Sequence, residues 1–199
     1  MKIKNMRSKL LVIFFLVGLL LTYFTLFVLA ELYEENIQKA TEYLQEDKFN
    51  EAIKELETVL TLIRSKAKLE FNKVQFVKDD PPGYGIFQPR DKNSFSSGET
   101  IFIYGEPKNF TIKEIEKDIF EIYLKEDLYL LDQENNILFG QIDILEYHTQ
   151  TRSPSSDIFF TNYITQEEPF PPGKYKIRIV VKDAFSQRTE EVTLDFEIQ

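Results

Sequence analysis

The sequence has no cysteine and no tryptophan, a single histidine and only seven glycines. Without cysteine there is no disulfide framework, no thiolate nucleophile, and no thiolate-ligated zinc or iron–sulfur centre. The thioether lipid anchor of a bacterial lipoprotein is excluded for the same reason. One histidine rules out a histidine-rich metal site or a pair of histidine acid–bases. The glycines form neither a phosphate-cradling loop nor a dinucleotide fingerprint, and no G-x-S-x-G elbow occurs. These gaps predict no catalytic residues, no cofactor and no metal, and hence a chain that is not an enzyme.

Charge is present but unevenly placed. The net charge over 199 residues is −9. Lys2, Lys4, Arg7 and Lys9 give the first 30 residues +4, which leaves −13 for the rest. A body that acidic repels phosphate backbones, so nucleic acid is not the expected partner. Phe and Tyr are abundant, at 18 and 10, and both favour strands.

Leu10–Ala30 is an uncharged run of 21 residues behind a basic flank. As a helix it is long enough to span a bilayer, with the basic end inside and the C-terminus outside. It reads either as an uncleaved signal anchor or as a signal peptide cut after Ala30. The expected location is therefore a single pass in the cell membrane, or the periplasm or exterior after cleavage.

Residues 31–70 change rhythm. Tyr33, Ile37, Ala40 and Leu44 fall at helical spacing, and a second series runs Phe49, Ala52, Ile53, Leu56, Val59, Leu60, Ile63. The spacing predicts two amphipathic helices, antiparallel because their connection is short, with Asn50 capping the second. Ala40, Tyr43, Leu44, Phe49, Ala52, Leu56 and Val59 together resemble one tetratricopeptide repeat. That resemblance implies a partner-recruiting surface, against the plain alternative of an amphipathic stalk. No second copy follows, and repeat arrays need about three. An unpaired apolar face on such a hairpin implies a possible homodimer.

From residue 71 to 199 the period becomes two. Tyr175, Ile177, Ile179 and Val181 alternate with basic residues. After a loop, Val192, Leu194, Phe196 and Ile198 alternate with polar ones, so the two runs form a hairpin. Leu69–Lys78, Glu99–Gly105, Phe120–Leu130, Ile137–Tyr147 and Ile158–Ile164 are further strands. About seven short strands predict an antiparallel sandwich, so the fold class is mostly β with an N-terminal α portion. Asp132–Asn136 reads as a hairpin turn.

Pro172-Gly-Lys-Tyr175-Lys-Ile177-Arg-Ile179-Val-Val181-Lys-Asp183, with the Phe-x-Ile strand after it, resembles the closing hairpin of immunoglobulin-like and fibronectin type III-like sandwiches of bacterial envelope proteins. Gly83-Tyr84-Gly85, Phe87, Pro89, Phe95, Gly98-Glu99 and Ile103–Pro107 resemble a group of uncharacterised secreted bacterial proteins. The resemblance implies fold and compartment and brings no activity. An antibody-type domain proper is excluded by the missing tryptophan and disulfide.

His148 reads as an exposed loop residue. Asp79-Asp80 reads as a solvated turn, with a weak calcium site as the alternative. The loop Pro82–Phe87 is the candidate binding feature, with Tyr84 and Phe87 as ligand-binding residues on a Gly/Pro support; the alternative is that these rings plug the end of the core. The expected function is an extracytoplasmic interaction module that binds a protein partner through the sandwich or the hairpin. A carbohydrate- or cell-wall-binding module and a structural subunit of an envelope assembly are the alternatives.

Overall fold

The computed structural model describes residues 33–166 and 168–199. The Leu10–Ala30 expectation lies outside the described residues. Among those described, no helix is long and apolar enough to cross a membrane. The described residues divide into two compact units, with the boundary between Leu62 and Ile63.

In the first unit, residues 33–45 form helix α1 and Phe49 begins helix α2, Phe49–Lys66. α1 ends in a Schellman turn: Lys48 N donates to Tyr43 O (2.8 Å) and Asp47 N to Leu44 O (3.4 Å). Asp47 takes the left-handed conformation, φ 58°, that this turn requires. Asn50 does not cap α2, contrary to the sequence expectation. Lys48 O accepts the first helical bond, from Ala52 N (3.1 Å), which places Asn50 inside the first turn. The tight turn at Asp47 starts the second helix earlier than side-chain chemistry suggests. Ala40, Ala52 and Val59 are buried. Small residues at these positions allow two antiparallel helices to approach closely.

The second unit is a β-sandwich. One sheet holds three strands in the order β1 (Glu70–Val77), β3 (Ile101–Lys108), β7 (Phe160–Ile164). The other holds six: β2 (Ser94–Phe95), β9 (Thr189–Ile198), β8 (Gly173–Asp183), β5 (Ile119–Leu131) and β4 (Lys113–Glu116) in that order, with β6 (Ile137–Thr151) pairing with β5. The strands alternate apolar and polar residues, and the apolar faces of the two sheets meet. One core cluster joins Phe76, Ile101 and Ile103 to Phe95, Leu128, Leu130, Ile177, Ile179, Phe196 and Ile198. A second gathers Leu69, Phe110, Ile122, Leu124, Ile158, Phe160 and Val181.

Two expectations need correction. The pairing is not wholly antiparallel, because β2 runs parallel to β9. Nine strands rather than seven occur among the described residues. The additional ones, β2 and β4, are two and four residues long, too short for alternation to reveal.

The β8–β9 hairpin is locked from below by Asp183, the last residue of β8 and almost fully buried. It accepts hydrogen bonds from Thr111 N (2.8 Å) and Oγ1 (2.7 Å), Ser186 Oγ (2.7 Å) and an Arg188 terminal nitrogen (3.1 Å). Arg188 in turn donates to the carbonyl of Ala67, in the chain leading into β1. Burial pushes the Asp183 carboxyl up, but the bonds from Ser186 and Thr111 outweigh it and hold the group below its ordinary range.

Candidate functional site

Tyr84 and Phe87 sit on the loop that leaves β1 and returns beside it at Pro89, which bridges to Val77. The loop lies over the outer face of the three-stranded sheet. Ile101 and Ile103 of β3 face the core, so Tyr104 points the opposite way, and the loop covers it completely. Phe87 packs on Tyr104 with ring centroids 4.4 Å apart, and Phe159 stacks on it at 5.7 Å. The Tyr104 hydroxyl accepts from Gly85 N (2.7 Å) and donates to Glu106 (2.8 Å). Gly85, at φ +70°, supplies the left-handed turn that aims this amide. Burial, reinforced by Glu106, pushes the Tyr104 phenol up to about 12. Lys108 Nζ donates to the Tyr84 hydroxyl at 2.5 Å and lies 4.9 Å from its ring centroid. Both loop aromatics are thus half-buried and already engaged; Ile86 is the loop's exposed apolar tip.

His148 stacks on Tyr123 (4.3 Å between centroids) and shares a hydrogen bond with Glu121 (3.0 Å) on the outer face of the larger sheet. Asp79 and Asp80 are exposed. Among the described residues, no three carboxylates or histidines gather as a metal site. In the β5–β6 turn, Asp132 accepts from Asn136 N (2.8 Å) and Nδ2 (2.7 Å), with Asn135 left-handed at φ 67°.

A different region stands out on structural grounds. β6 pairs only with β5, so one of its edges is open among the described residues. Its first half, Ile137-Leu-Phe-Gly-Gln-Ile-Asp-Ile144, is exposed at every residue. Phe139 and Gln141 face the same side as their partners Leu130 and Leu128, yet the smaller sheet does not reach over them. A cleft of about 430 Å³ remains between the sheets, lined by Leu128, Leu130, Phe139, Ile144, Tyr163 and Ile164 among others. Tyr163 at its rim is 69% exposed.

A bulge enlarges this opening. Leu145 and Gln141 pair with Glu126 and Leu128, so residues 142–144 stand against Asp127 alone. The bulge is pinned by charge: Asp143 N donates to Asp127 (2.8 Å), and Lys182 Nζ bridges Asp127 (2.6 Å) and Asp143 (2.5 Å). Lys125 adds a second cation on Asp143, at 2.9 Å. Asp143, left-handed at φ 52°, is the only charged residue in this half-strand, and the two lysines neutralise it. Ile142 is pushed out to 68% exposure.

The sequence predicts Ile137–Tyr147 as an ordinary return strand. One signal was available: Ile137, Leu138, Phe139, Ile142 and Ile144 break strict alternation, so both faces are apolar.

No family model matches the chain, and no curated protein matches it. No family match adds to the tetratricopeptide or immunoglobulin-like resemblance. Among solved structures, the chain is similar to a Niemann-Pick type C2 protein from the Japanese carpenter ant, at 10% identity and TM-score 0.39, over 67% of this chain and 94% of that one. It is also similar to the C-terminal domain of wzt, at 7% identity and TM-score 0.40, over 67% of this chain and 74% of that one. Likenesses at this level carry no functional argument.

Proposed function

We propose that this protein is a non-enzymatic interaction module working outside the cytoplasm, tethered by residues 10–30 or released after Ala30, and that it binds a protein partner by accepting a strand on β6. The tether and compartment rest on the sequence: a basic flank, an uncharged 21-residue run and a strongly acidic remainder. The strand-acceptor reading rests on one observation, the open edge of β6 with apolar side chains exposed on both faces along Ile137–Ile144.

Proteins ordinarily blunt such edges with free charges, prolines or brevity. Here β6 runs 15 residues, has no proline, and its one charge in this half is already paired. An added strand would satisfy the open backbone groups, place its inward residues in the cleft beside Phe139 and Ile144, and cover Leu138 on the other face. A sugar would find few polar groups here, since most of the lining residues are apolar.

The test uses the full chain in native membranes, compared with Leu138→Lys/Ile142→Lys. Both side chains are exposed, so the variant should melt with wild type. Loss of a co-purified protein in the variant, with slowed amide exchange over 137–144 in the wild-type complex, is the expected result. Undiminished capture by the double variant would exclude β6 as the docking edge.

A further inference from the structure

The hairpin of the first unit leaves most of its apolar surface uncovered, and the pattern of that surface specifies what fits it. On α2, Phe49, Ile53, Leu56 and Leu60 are spaced by four, three and four residues, and the series continues to Ile63. At ~100° per residue these side chains form one stripe. Each is between 44% and 57% exposed. Ala52 and Val59, which are buried, lie along one flank of the same apolar face. α1 repeats the arrangement: Ala40 is buried, whereas Ile37 and Leu44, seven residues apart, are each 47% exposed. Each helix therefore buries the small-residue flank of a wide face and leaves the large residues out.

A spacing of alternating fours and threes averages 3.5, the repeat by which helices mesh knobs into holes over a long contact. The fitting partner is then another helix of the same repeat, and this hairpin supplies two. We infer that the partner is a second copy of this chain: two hairpins meet through Ile37, Leu44, Phe49, Ile53, Leu56 and Leu60 and form a four-helix bundle.

One further observation favours a second copy. Covering the exposed parts of these six residues removes on the order of 500–600 Å² per hairpin, approaching the ~800 Å² per partner of a standard interface before flanking residues are added.

The chain has no cysteine, so single cysteines report positions without background. In the full-length protein in membranes, Leu56→Cys should give a covalent dimer of twice 23.5 kDa with a short bis-maleimide. Glu51→Cys, on the opposite side of α2, should give several-fold less. Ile53→Lys/Leu60→Lys added to Leu56→Cys should abolish the dimer. Because both residues are half exposed, the variant should keep its helical circular dichroism; if it does not, Ile53→Gln/Leu60→Gln serves instead. Equal crosslinking at positions 51 and 56, no dimer at 56, or crosslinking at 56 only to a different protein would each overturn the inference. None of these outcomes bears on the β6 edge, which lies in the other unit.

Discussion

Glu126 on β5 and Asn162 on β7 join the two sheets through the core: Asn162 Nδ2 donates to Glu126 Oε1 at 2.5 Å, and both residues are buried. Glu126 occupies an inward position between Leu124 and Leu128, next to the bulge that opens the cleft. Burial, with a smaller contribution from Asp127, pushes its carboxyl from an ordinary 4.5 to about 7, against the opposing effect of the Asn162 bond.

That relationship fixes a pH dependence. The native state holds this proton more tightly than the unfolded chain does. Its contribution is therefore complete below about pH 4.5 and is lost as pH rises through about 7. The shift corresponds to roughly 3 kcal/mol. Glu126→Gln keeps an acceptor for Asn162 but cannot ionise. Thermal melts should show the variant gaining on wild type as pH rises from 5 to 8, by about 5–10 °C at the upper end. A constant difference across that range would show that Glu126 does not titrate there.

How much of this was readable beforehand depended on how local the cause was. Tyr175–Val181 and Val192–Ile198 alternate because each strand buries one face, so their pairing, Lys182 with Thr189 and Gly173 with Ile198, follows from sequence. The Asp132–Asn136 turn was equally legible, since it is held by its own side chains. The parallel β2–β9 contact was not, being two residues placed entirely by tertiary structure. Nor was the exposure of Ile137–Ile144, because apolar composition says nothing of how far the opposite sheet extends. Glu126 did leave a trace, an acid interrupting the series Ile122, Leu124, Leu128, Leu130. At Tyr84 and Phe87 the aromatic loop was visible, but not the Tyr104 ring beneath it.

The loop over Tyr104 can be tested by removing its cover. Phe87→Ala takes away the ring packed at 4.4 Å and lets water reach the phenol. The cost should be about 1–2 kcal/mol, the value of an aromatic pair plus partial burial. Tyr104 should then ionise closer to 10 than to 12, because burial is the main cause of its elevation. Ultraviolet titration, with Tyr104→Phe as the reference for the other tyrosines, reads this directly. If the phenol stays near 12 in the variant, Phe87 contributes little to its cover.

Gly140 on β6 offers a test of the larger sheet's outer face. A Cβ at this position would lie 2.7 Å from Tyr129 Cδ1, too close for any real contact. Tyr129 in turn carries the Arg178 guanidinium 4.8 Å from its ring centroid, and Arg178 Nε has no hydrogen-bond partner, so the ring face is its remaining support. Gly140→Ala must push the ring off the strand and disturb this stack, at about 1–3 kcal/mol. In Tyr129→Ala the obstruction is gone, so adding Gly140→Ala to that background should cost almost nothing. Chemical denaturation of the four proteins gives the coupling. Additive effects would mean that the glycine is required for backbone conformation rather than for the passage of the Tyr129 ring.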